Sequence, residues 1–177
     1  MSRKYELTTE TKVILGKTLY RIRALIAFSD VNEGELGGWI EKLDNLAQDG
    51  DAWVYGDARV YGNARVSGDA WVSGDARVSG DARVSGDARV SGDARVFCAR
   101  AIMLISCIGS RDDTTTFFAR KDKQIGVSCG YFEGDIDSFA AAVKKTHGDN
   151  EHAKAYMLAI EIAKLRIATD VPEEEKR

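Results

Sequence analysis

A strict six-residue period constrains this chain more than any other feature. From Gly50 to Phe97 the sequence reads GDAWVY, GDARVY, GNARVS, GDAWVS, three copies of GDARVS and finally GDARVF, which makes eight consecutive units. Repeats this regular build an elongated architecture in which each unit buries its apolar side on the next. An α-helix is excluded, because a glycine in every unit would cost about 1 kcal/mol and the valines would spiral around the helix. We therefore expect each unit to be a short strand followed by a corner.

The residue types within the unit predict which way each position points. Valine and alanine suit a narrow apolar interior, whereas Gly-Asp or Gly-Asn supplies a turn that tolerates positive φ. Each buried valine is expected to stabilise the fold by about 1.5–3 kcal/mol. The predicted interior valines are Val54, Val60, Val66, Val72, Val78, Val84, Val90 and Val96.

The repeats resemble the left-handed parallel β-helix of the hexapeptide-repeat family, in which three units form one triangular coil. Residues 18 apart in the sequence would then stack at the strand spacing of about 4.8 Å. The predicted outer columns are Trp53, Trp71 and Arg89 on one face, Arg59, Arg77 and Arg95 on a second, and Arg65 and Arg83 on the third. Stacked corner aspartates would run beside these columns as counter-charges. A calcium site on the aspartates is the alternative, although no nonapeptide calcium-binding signature is present.

The segments before and within the repeats predict a β cap and a β-helix. Open strand edges polymerise unless something covers them, so both flanks are expected to be caps. Residues 1–40 predict an N-terminal β cap with a hairpin, whose strands Lys12–Leu15 and Leu19–Phe28 are joined by a turn at Gly16. Trp39 is interpreted as a packed cap residue, with a ligand-stacking role as the alternative. The repeat domain spans residues 41–100.

The segment after the repeats predicts a small α+β module over residues 101–168, followed by a flexible tail over 169–177. Ala101–Ile108 is a continuous apolar run typical of a buried strand, and two or three antiparallel strands follow, with a tight turn near Lys121–Lys123. Two helices come next, the first capped by Asp135 or Asp137 and the second by Asp149 or Asn150. Their predicted buried residues are Ile136, Phe139, Ala140 and Val143 in the first helix and Tyr156, Met157, Ile160 and Leu165 in the second. The predicted fold class is therefore mainly β.

Composition narrows the classes of function. The chain has 177 residues, a net charge of −3 and no block of basic residues, so we expect no DNA binding. No long apolar run and no secretory leader are present, so we expect a cytoplasmic protein without membrane association. The three cysteines fit no zinc spacing, and we interpret Cys98, Cys107 and Cys129 as reduced, partly buried thiols. No metal and no cofactor are predicted.

Hydroxyl and cationic side chains cluster just after the repeats and suggest an anion site. Backbone amides, hydroxyls and guanidinium groups bind phosphate or a nucleotide, and a helix start adds further donors. The candidate ligand-binding residues are Ser110, Arg111, Thr114, Thr115, Thr116, Arg120, Lys121 and Lys123, together with His147 and Asn150 around the sequence THGDN. A solvated hairpin whose threonines serve strand propensity is the alternative without a ligand.

The two histidines argue against catalysis. Many hexapeptide-repeat proteins resemble acyltransferases that use a histidine projecting from a coil as a general base. Here His147 and His152 both lie after the coils, and zinc-dependent carbonic anhydrases of the same fold need three histidine ligands. We therefore predict no catalytic residues.

Beyond the repeats, the chain resembles uncharacterised hexapeptide-repeat proteins of phages and prophages that are often labelled polymer-forming. The residues that carry this resemblance are YRIRAL, GELGGWIE, the GDARV repeats, SRDDTTTFF, VSCGYFEGDIDSF and THGDN. The resemblance implies a homotrimer and, for a phage protein, a location in the host cytoplasm. The expected function is a non-catalytic, oligomeric binding protein that counters host defence by sequestering a nucleotide-type immune signal. A structural or assembly protein that binds other proteins is the first alternative, and an acyltransferase-like enzyme is the second.

Overall fold

The computed structural model describes residues 3–176 of the chain and has a β-solenoid at its centre. The predicted N-terminal cap and tail also include Met1, Ser2 and Arg177, which lie outside the described residues. The chain begins with three strands, β1 (Tyr5–Ile14), β2 (Lys17–Ala24) and β3 (Leu36–Ile40). β1 and β2 form the predicted antiparallel hairpin, and β2 pairs antiparallel with β3.

The hairpin is longer at its start than the sequence suggested. Tyr5 is fully buried, and its hydroxyl donates hydrogen bonds to the carbonyl oxygens of Leu43 (2.9 Å) and Leu46 (2.7 Å). The predicted strand began only at Lys12, because the residues before it are mostly polar and show no apolar alternation. The contact between Tyr5 and the first coil orders this polar segment.

The repeats form eight two-residue strands, one per unit. They are β4 (Trp53–Val54), β5 (Arg59–Val60), β6 (Arg65–Val66), β7 (Trp71–Val72), β8 (Arg77–Val78), β9 (Arg83–Val84), β10 (Arg89–Val90) and β11 (Arg95–Val96). Each strand pairs in parallel with the strand three units away, in the orders β4-β7-β10, β5-β8-β11 and β6-β9. Three units therefore form one turn, as predicted, and the stacking of residues in three columns is confirmed. The columns are not exposed throughout, because Trp53, Arg77 and Arg95 are buried.

The solenoid interior is filled by the predicted valines and by alanines. All eight valines and all eight repeat alanines are at most 1% exposed. Some corners are equally tight, and at one of them a Cβ on Gly68 would lie 2.9 Å from the backbone nitrogen of Gly86. Only glycine allows this corner to stack so closely with its φ of +69°.

The N-terminal hairpin extends one face of the solenoid. β3 pairs in parallel with β5, so β1, β2 and β3 continue the β5-β8-β11 face as one six-stranded sheet. Trp39, in β3, is only 5% exposed and packs with Leu19 and Tyr61, while the Lys12 amine lies 4.1 Å from its ring centre. These contacts confirm that Trp39 is a packed residue of the cap.

The C-terminal part is a four-stranded antiparallel sheet with two helices. The strands are β12 (Ile102–Ile108), β13 (Asp113–Ala119), β14 (Ile125–Cys129) and β15 (Phe132–Asp135), in that spatial order. The helices are α1 (Ile136–His147) and α2 (Glu151–Arg166). Asp135 and Asn150 provide the predicted side-chain caps, since each accepts hydrogen bonds from the first turn of its helix.

This sheet closes the last coil of the solenoid. The Thr116 hydroxyl accepts a hydrogen bond from the Arg89 backbone N–H (3.1 Å), and the Lys121 N–H donates to the Asp93 carbonyl (3.1 Å). On the opposite side of the sheet, the Phe117 ring contacts the Phe139 ring of α1 at 6.2 Å. Since neighbouring residues of a strand point to opposite faces, β13 lies between the solenoid and the helices.

Some predicted burial is wrong. In β12 the side chains of Ser106 and Cys107 are exposed, because this strand is at the edge of its sheet. Cys107 is thus a surface thiol, whereas Cys98 and Cys129 are partly buried, as expected. The predicted buried strand is therefore only half-covered.

The buried side of α2 also differs from the prediction. Met157 and Leu165 are 40% and 78% exposed. The buried residues of α2 are Ala153, Tyr156, Ala159, Ile160 and Ala163. Three of these are alanines, which let the helix pack closely against its neighbours. Tyr156 and Ile160 are buried as predicted.

The segment after α2, which we predicted to be a flexible tail, returns to the solenoid. The Ala168 N–H donates to the Arg100 carbonyl (2.8 Å), and Val171 is buried. Pro172 and Glu174 line a groove together with Phe97, and Glu174 belongs to a 3-10 helix over Glu173–Lys176. In the part of the chain that the structure describes, no helix is long and apolar enough to cross a membrane.

Candidate ligand-binding cleft

A cleft of about 250 Å³ opens between the sheet and the two helices of the C-terminal module. We call it the Arg111 cleft. Its lining residues are Ser110, Arg111, Cys129, Phe132, Phe139, Ala142, Val143, Thr146, His147 and Tyr156. They come from the β12–β13 turn, the β14–β15 hairpin and both helices, so the cleft exists only in the folded module.

Arg111 is held at the rim of the cleft by the shape of two turns. The turn that carries Arg111 begins at Gly109, whose φ is +79°. The guanidinium of Arg111 lies over the backbone of Gly130, where a Cβ atom would overlap its Nη2 atom. The guanidinium is also 5.7 Å from the centre of the exposed Tyr131 ring. Among the side chains that the structure describes, those of residues 3–174, no carboxylate forms an ion pair with Arg111.

Tyr156 forms the deep end of the cleft. Its hydroxyl lies against Gly109, where any side chain would overlap it, and is 3.6 Å from the Cys129 sulfur. The same sulfur accepts a hydrogen bond from the Thr115 hydroxyl (3.2 Å). Burial raises the pKa of Tyr156, and the hydrogen bond with Cys129 raises it further. The phenol is therefore neutral near pH 7 and retains a proton to donate.

One wall of the cleft is aromatic. The Phe139 ring lies 5.1 Å from the Phe132 ring and 5.4 Å from the Tyr156 ring. His147, the last residue of α1, places its ring 5.9 Å from Tyr156 and 5.7 Å from His152. The Phe132 and Phe139 rings are tilted by 50° and the Phe139 and Tyr156 rings meet edge to face at 84°, so the wall is apolar and aromatic and lies beside polar groups. Such a wall suits a ligand with an aromatic ring and a charged substituent.

The charge of the lining favours anions. The lining contains a guanidinium from Arg111, an imidazole from His147 and the hydroxyls of Ser110, Thr146 and Tyr156, but no carboxylate. Asp113 is close in sequence, but its carboxylate accepts a hydrogen bond from the Thr114 N–H (2.7 Å) and does not line the cleft. Hydrogen bonds to a charged acceptor are the strongest that such donors form.

Three of the candidate residues predicted from the sequence meet in this cleft, and the others lie elsewhere. Ser110, Arg111 and His147 line it. Asn150 instead caps α2, where its side chain accepts a hydrogen bond from the Ala153 N–H (3.0 Å).

The threonines and the remaining cations serve the sheet and the solenoid. Thr115 and Thr116 are buried on opposite faces of β13, and the Thr114 hydroxyl is 2.9 Å from that of Ser106. Arg120 forms an ion pair with Asp93 (2.8 Å), which raises the pKa of Arg120. Lys121 and Lys123 are exposed in the β13–β14 turn, at the end of β13 away from Arg111.

The apolar lining was not predicted from the sequence as part of a site. Phe139 and Tyr156 were predicted only as buried helix residues, and Cys129 and Phe132 only as parts of a hairpin. The sequence feature that could have indicated these residues is a glycine directly after each of two apolar segments, at Gly109 and Gly130. In the structure both glycines have positive φ. Glycines at such positions let side chains from elsewhere approach the backbone.

The corner aspartates act as counter-charges, since Asp57 pairs with Lys12 (3.2 Å) and Asp93 with Arg120 (2.8 Å), and a pair with a repeat arginine is also present. Arg59 forms an ion pair with Asp75 at 3.2 Å. Within the described residues, no group of three or more histidine, cysteine or acidic side chains is arranged to hold a metal ion.

Comparison with known families supports the solenoid and is silent on the cleft. Two segments, residues 58–74 and 76–92, each match the family model described as the YdcK beta-solenoid repeat. The repeats are similar to that solenoid. Both matches lie inside the repeat domain, so they bear on the scaffold rather than on the Arg111 cleft. No curated protein matches the chain.

Proposed function

We propose that this protein is a non-catalytic binding protein whose Arg111 cleft takes a small anionic ligand of the nucleotide type. The observation that carries the proposal is the lining, which combines cationic and hydroxyl donors with an aromatic wall and contains no carboxylate. The phosphate would lie against Arg111, Ser110 and His147. The planar base would lie against Phe132 and Phe139.

The size of the cleft supports a ligand no larger than one nucleotide. Small-molecule pockets usually enclose about 300–1,000 Å³. The Arg111 cleft, at about 250 Å³, is slightly smaller than this range. A larger signalling nucleotide would therefore place one of its units in the cleft and leave the rest outside.

The resemblance of the chain to phage hexapeptide-repeat proteins supports the finer parts of the proposal. These parts are a left-handed solenoid, a homotrimer and a phage source. In that setting the ligand would be a nucleotide signal of host immunity, which the protein would remove from solution without changing it. A homotrimer would carry three clefts, so each assembly would sequester three ligand molecules.

The first experiment asks whether a nucleotide accompanies the protein. We expect the purified protein to have a raised ratio of absorbance at 260 nm to that at 280 nm, and denaturation to release a nucleotide that mass spectrometry identifies. Isothermal titration with adenosine monophosphate, guanosine monophosphate and inorganic phosphate then gives the affinities of the emptied protein. No bound nucleotide and no heat with any of the three probes would contradict the proposal.

The Arg111→Ala variant tests the site. A hydrogen bond to a charged group contributes about 1.5–3 kcal/mol, so we expect affinity for the best nucleotide probe to fall at least about tenfold. Lys121→Ala is the matched control, because it removes one positive charge from the same module at an exposed position outside the cleft. Equal affinities of Arg111→Ala and wild type would move the binding site elsewhere.

A further inference from the structure

One aromatic ring lies in solvent beside the Arg111 cleft. Tyr131 is 99% exposed, whereas every other phenylalanine, tyrosine and tryptophan in the part of the chain that the structure describes is at least partly buried. Tyr131 packs into no core, and its turn does not need an aromatic residue, because two-residue hairpin turns are usually built from glycine, asparagine and aspartate. Most of the surface of this ring is therefore available to a bound molecule.

The turn between β14 and β15 fixes Tyr131 next to the cleft. Cys129 and Phe132 pair across this hairpin, so Gly130 and Tyr131 form a two-residue turn between them. Both paired residues line the Arg111 cleft. Gly130 has a φ of +58°, and the tight turns that suit hairpins have positive φ at this first central position. Tyr131 is thus one residue away from the lining, in a turn too short to carry it elsewhere.

Arg111 connects the exposed ring to the cleft. Arg111 lines the cleft, and its guanidinium lies over the Gly130 backbone at 5.7 Å from the centre of the Tyr131 ring. A cation at this distance is attracted to an aromatic face, which orients Tyr131 relative to the cleft. Because Tyr131 is still almost fully exposed, this contact leaves the ring open to solvent. A phosphate bound to Arg111 would therefore be close both to the aromatic wall of the cleft and to Tyr131.

We infer that the ligand of this site is a dinucleotide, with one base in the Arg111 cleft, the linking phosphate at Arg111 and the second base stacked on Tyr131. The inference rests on the proposed function, which itself needs only the first base and the phosphate. At about 250 Å³ the cleft is too small for two nucleotide units, so a second base must lie outside it. Every base has a π face, so stacking on an exposed aromatic ring adds affinity without base-specific hydrogen bonds.

Isothermal titration of the emptied protein tests the inference with two probes that differ only in the second nucleoside. One is diadenosine monophosphate, in which a single phosphodiester joins two adenosines. The other is the methyl ester of adenosine monophosphate, which carries the same charge and one base. We expect the two-base probe to bind about 5- to 150-fold more tightly, which is the effect of one stacked base. The guanine counterparts of both probes cover the other purine, and the cyclic dinucleotides distinguish a cyclic from a linear ligand.

Variants of Tyr131 assign the second base to this ring. Tyr131→Ala should lower the ratio of two-base to one-base affinity to about one, because it removes the stacking surface. Tyr131→Phe keeps the ring and should keep the wild-type ratio. Leu158→Ala is the matched control, since it removes a side chain that is 66% exposed on α2 and does not line the cleft. The ratio of Leu158→Ala should equal that of wild type.

The outcomes separate this inference from the proposed function. A wild-type ratio near one with every base and both linkages, or a ratio that Tyr131→Ala does not change, would overturn the dinucleotide and leave the binding of a single nucleotide in place. An equal loss in Tyr131→Phe would overturn stacking, because the hydroxyl would then make the contact. Absence of binding by all one-base and two-base probes would overturn both the inference and the proposed function.

Discussion

Two glycines decide where the polar groups of the Arg111 cleft lie. Tyr156 occupies the space beside Gly109, and Arg111 occupies the space beside Gly130. Both glycines also adopt positive φ, which other residues adopt only with strain. At the residue scale, therefore, the cleft depends on missing side chains as much as on the side chains that line it.

Replacing Gly109 with alanine should lower the free energy of unfolding by more than the backbone cost of positive φ alone. The new methyl group would overlap the Tyr156 hydroxyl, so Tyr156 must move and the free energy of unfolding should fall by about 2–4 kcal/mol. Gly16→Ala is the matched control, because Gly16 has a φ of +74° and open space around it. The Gly16→Ala variant should lose only about 1 kcal/mol of its free energy of unfolding, which is the backbone cost of placing alanine at a positive φ. Urea unfolding measures both values, and equal losses in the two variants would show that Tyr156 does not occupy this space.

The candidate site was predictable only in part, for a physical reason. Charge and hydroxyl content drew attention to Ser110, Arg111 and His147, since those groups bind anions wherever they are exposed. The same reasoning included Thr116 and Arg120, whose polar groups instead bond to the end of the solenoid. Sequence alone does not distinguish a polar group that faces a cleft from one that satisfies a neighbouring strand.

At the scale of elements, the strands of the solenoid were predictable and one helix face was not. A six-residue period fixes both the inward valines and the stacking of residues 18 apart, because each unit repeats the same geometry. In α2, however, apolar residues occur on both sides of the helix. Periodicity shows that each side is apolar, but it does not show which one the sheet covers, so Met157 and Leu165 were assigned to the wrong side.

The contact between β13 and the last coil leads to a prediction about the end of the solenoid. Thr116 is 1% exposed, and its hydroxyl accepts the Arg89 N–H. Thr116→Val keeps the shape of the side chain but leaves this buried N–H without an acceptor, which costs about 1–3 kcal/mol. We expect a loss of that size in urea unfolding, together with faster aggregation, because the strand edge is then less securely covered.

Thr114→Val provides the comparison for this variant. Thr114 is in the same strand, and its hydroxyl is 2.9 Å from that of Ser106 in an exposed contact. A surface change of this kind usually alters stability by no more than about 0.5 kcal/mol. If Thr116→Val were as stable as Thr114→Val, the hydroxyl of Thr116 would have no part in closing the solenoid.

At the scale of the whole molecule, the solenoid is closed at both ends by segments that its period does not specify. The sheet of the C-terminal module covers the last coil, and the N-terminal residues cover the first. Lys4 is 2% exposed, and its amine donates to the carbonyl oxygens of Asp49, Gly50 and Ala52 at 2.9–3.3 Å. A buried amine at the first coil links the stability of the molecule to pH.

Burial lowers the pKa of Lys4 from 10.5 to about 8, against the opposing effect of Asp49, Asp51 and Asp69. Between these two pH values the unfolded chain keeps the proton that the folded protein has released. Stability therefore rises with pH above about 8, at up to about 1.4 kcal/mol per unit. Below pH 8 both states hold the proton, and the contribution is constant.

Urea unfolding of wild type and Lys4→Met between pH 8 and 9.5 measures this contribution. We expect wild type to gain about 1–2 kcal/mol relative to the variant across this range. Burial raises the pKa of Tyr5 and of Tyr55, the latter to about 12, so these groups lower stability only near and above pH 10, where the unfolded chain ionises. The loss of three hydrogen bonds shifts the stability of the methionine variant by a constant amount at every pH, whereas the loss of the titrating amine removes the rise of stability with pH. Parallel curves for the two proteins would show that Lys4 keeps an ordinary pKa in the fold, with its three carbonyl contacts compensating for burial.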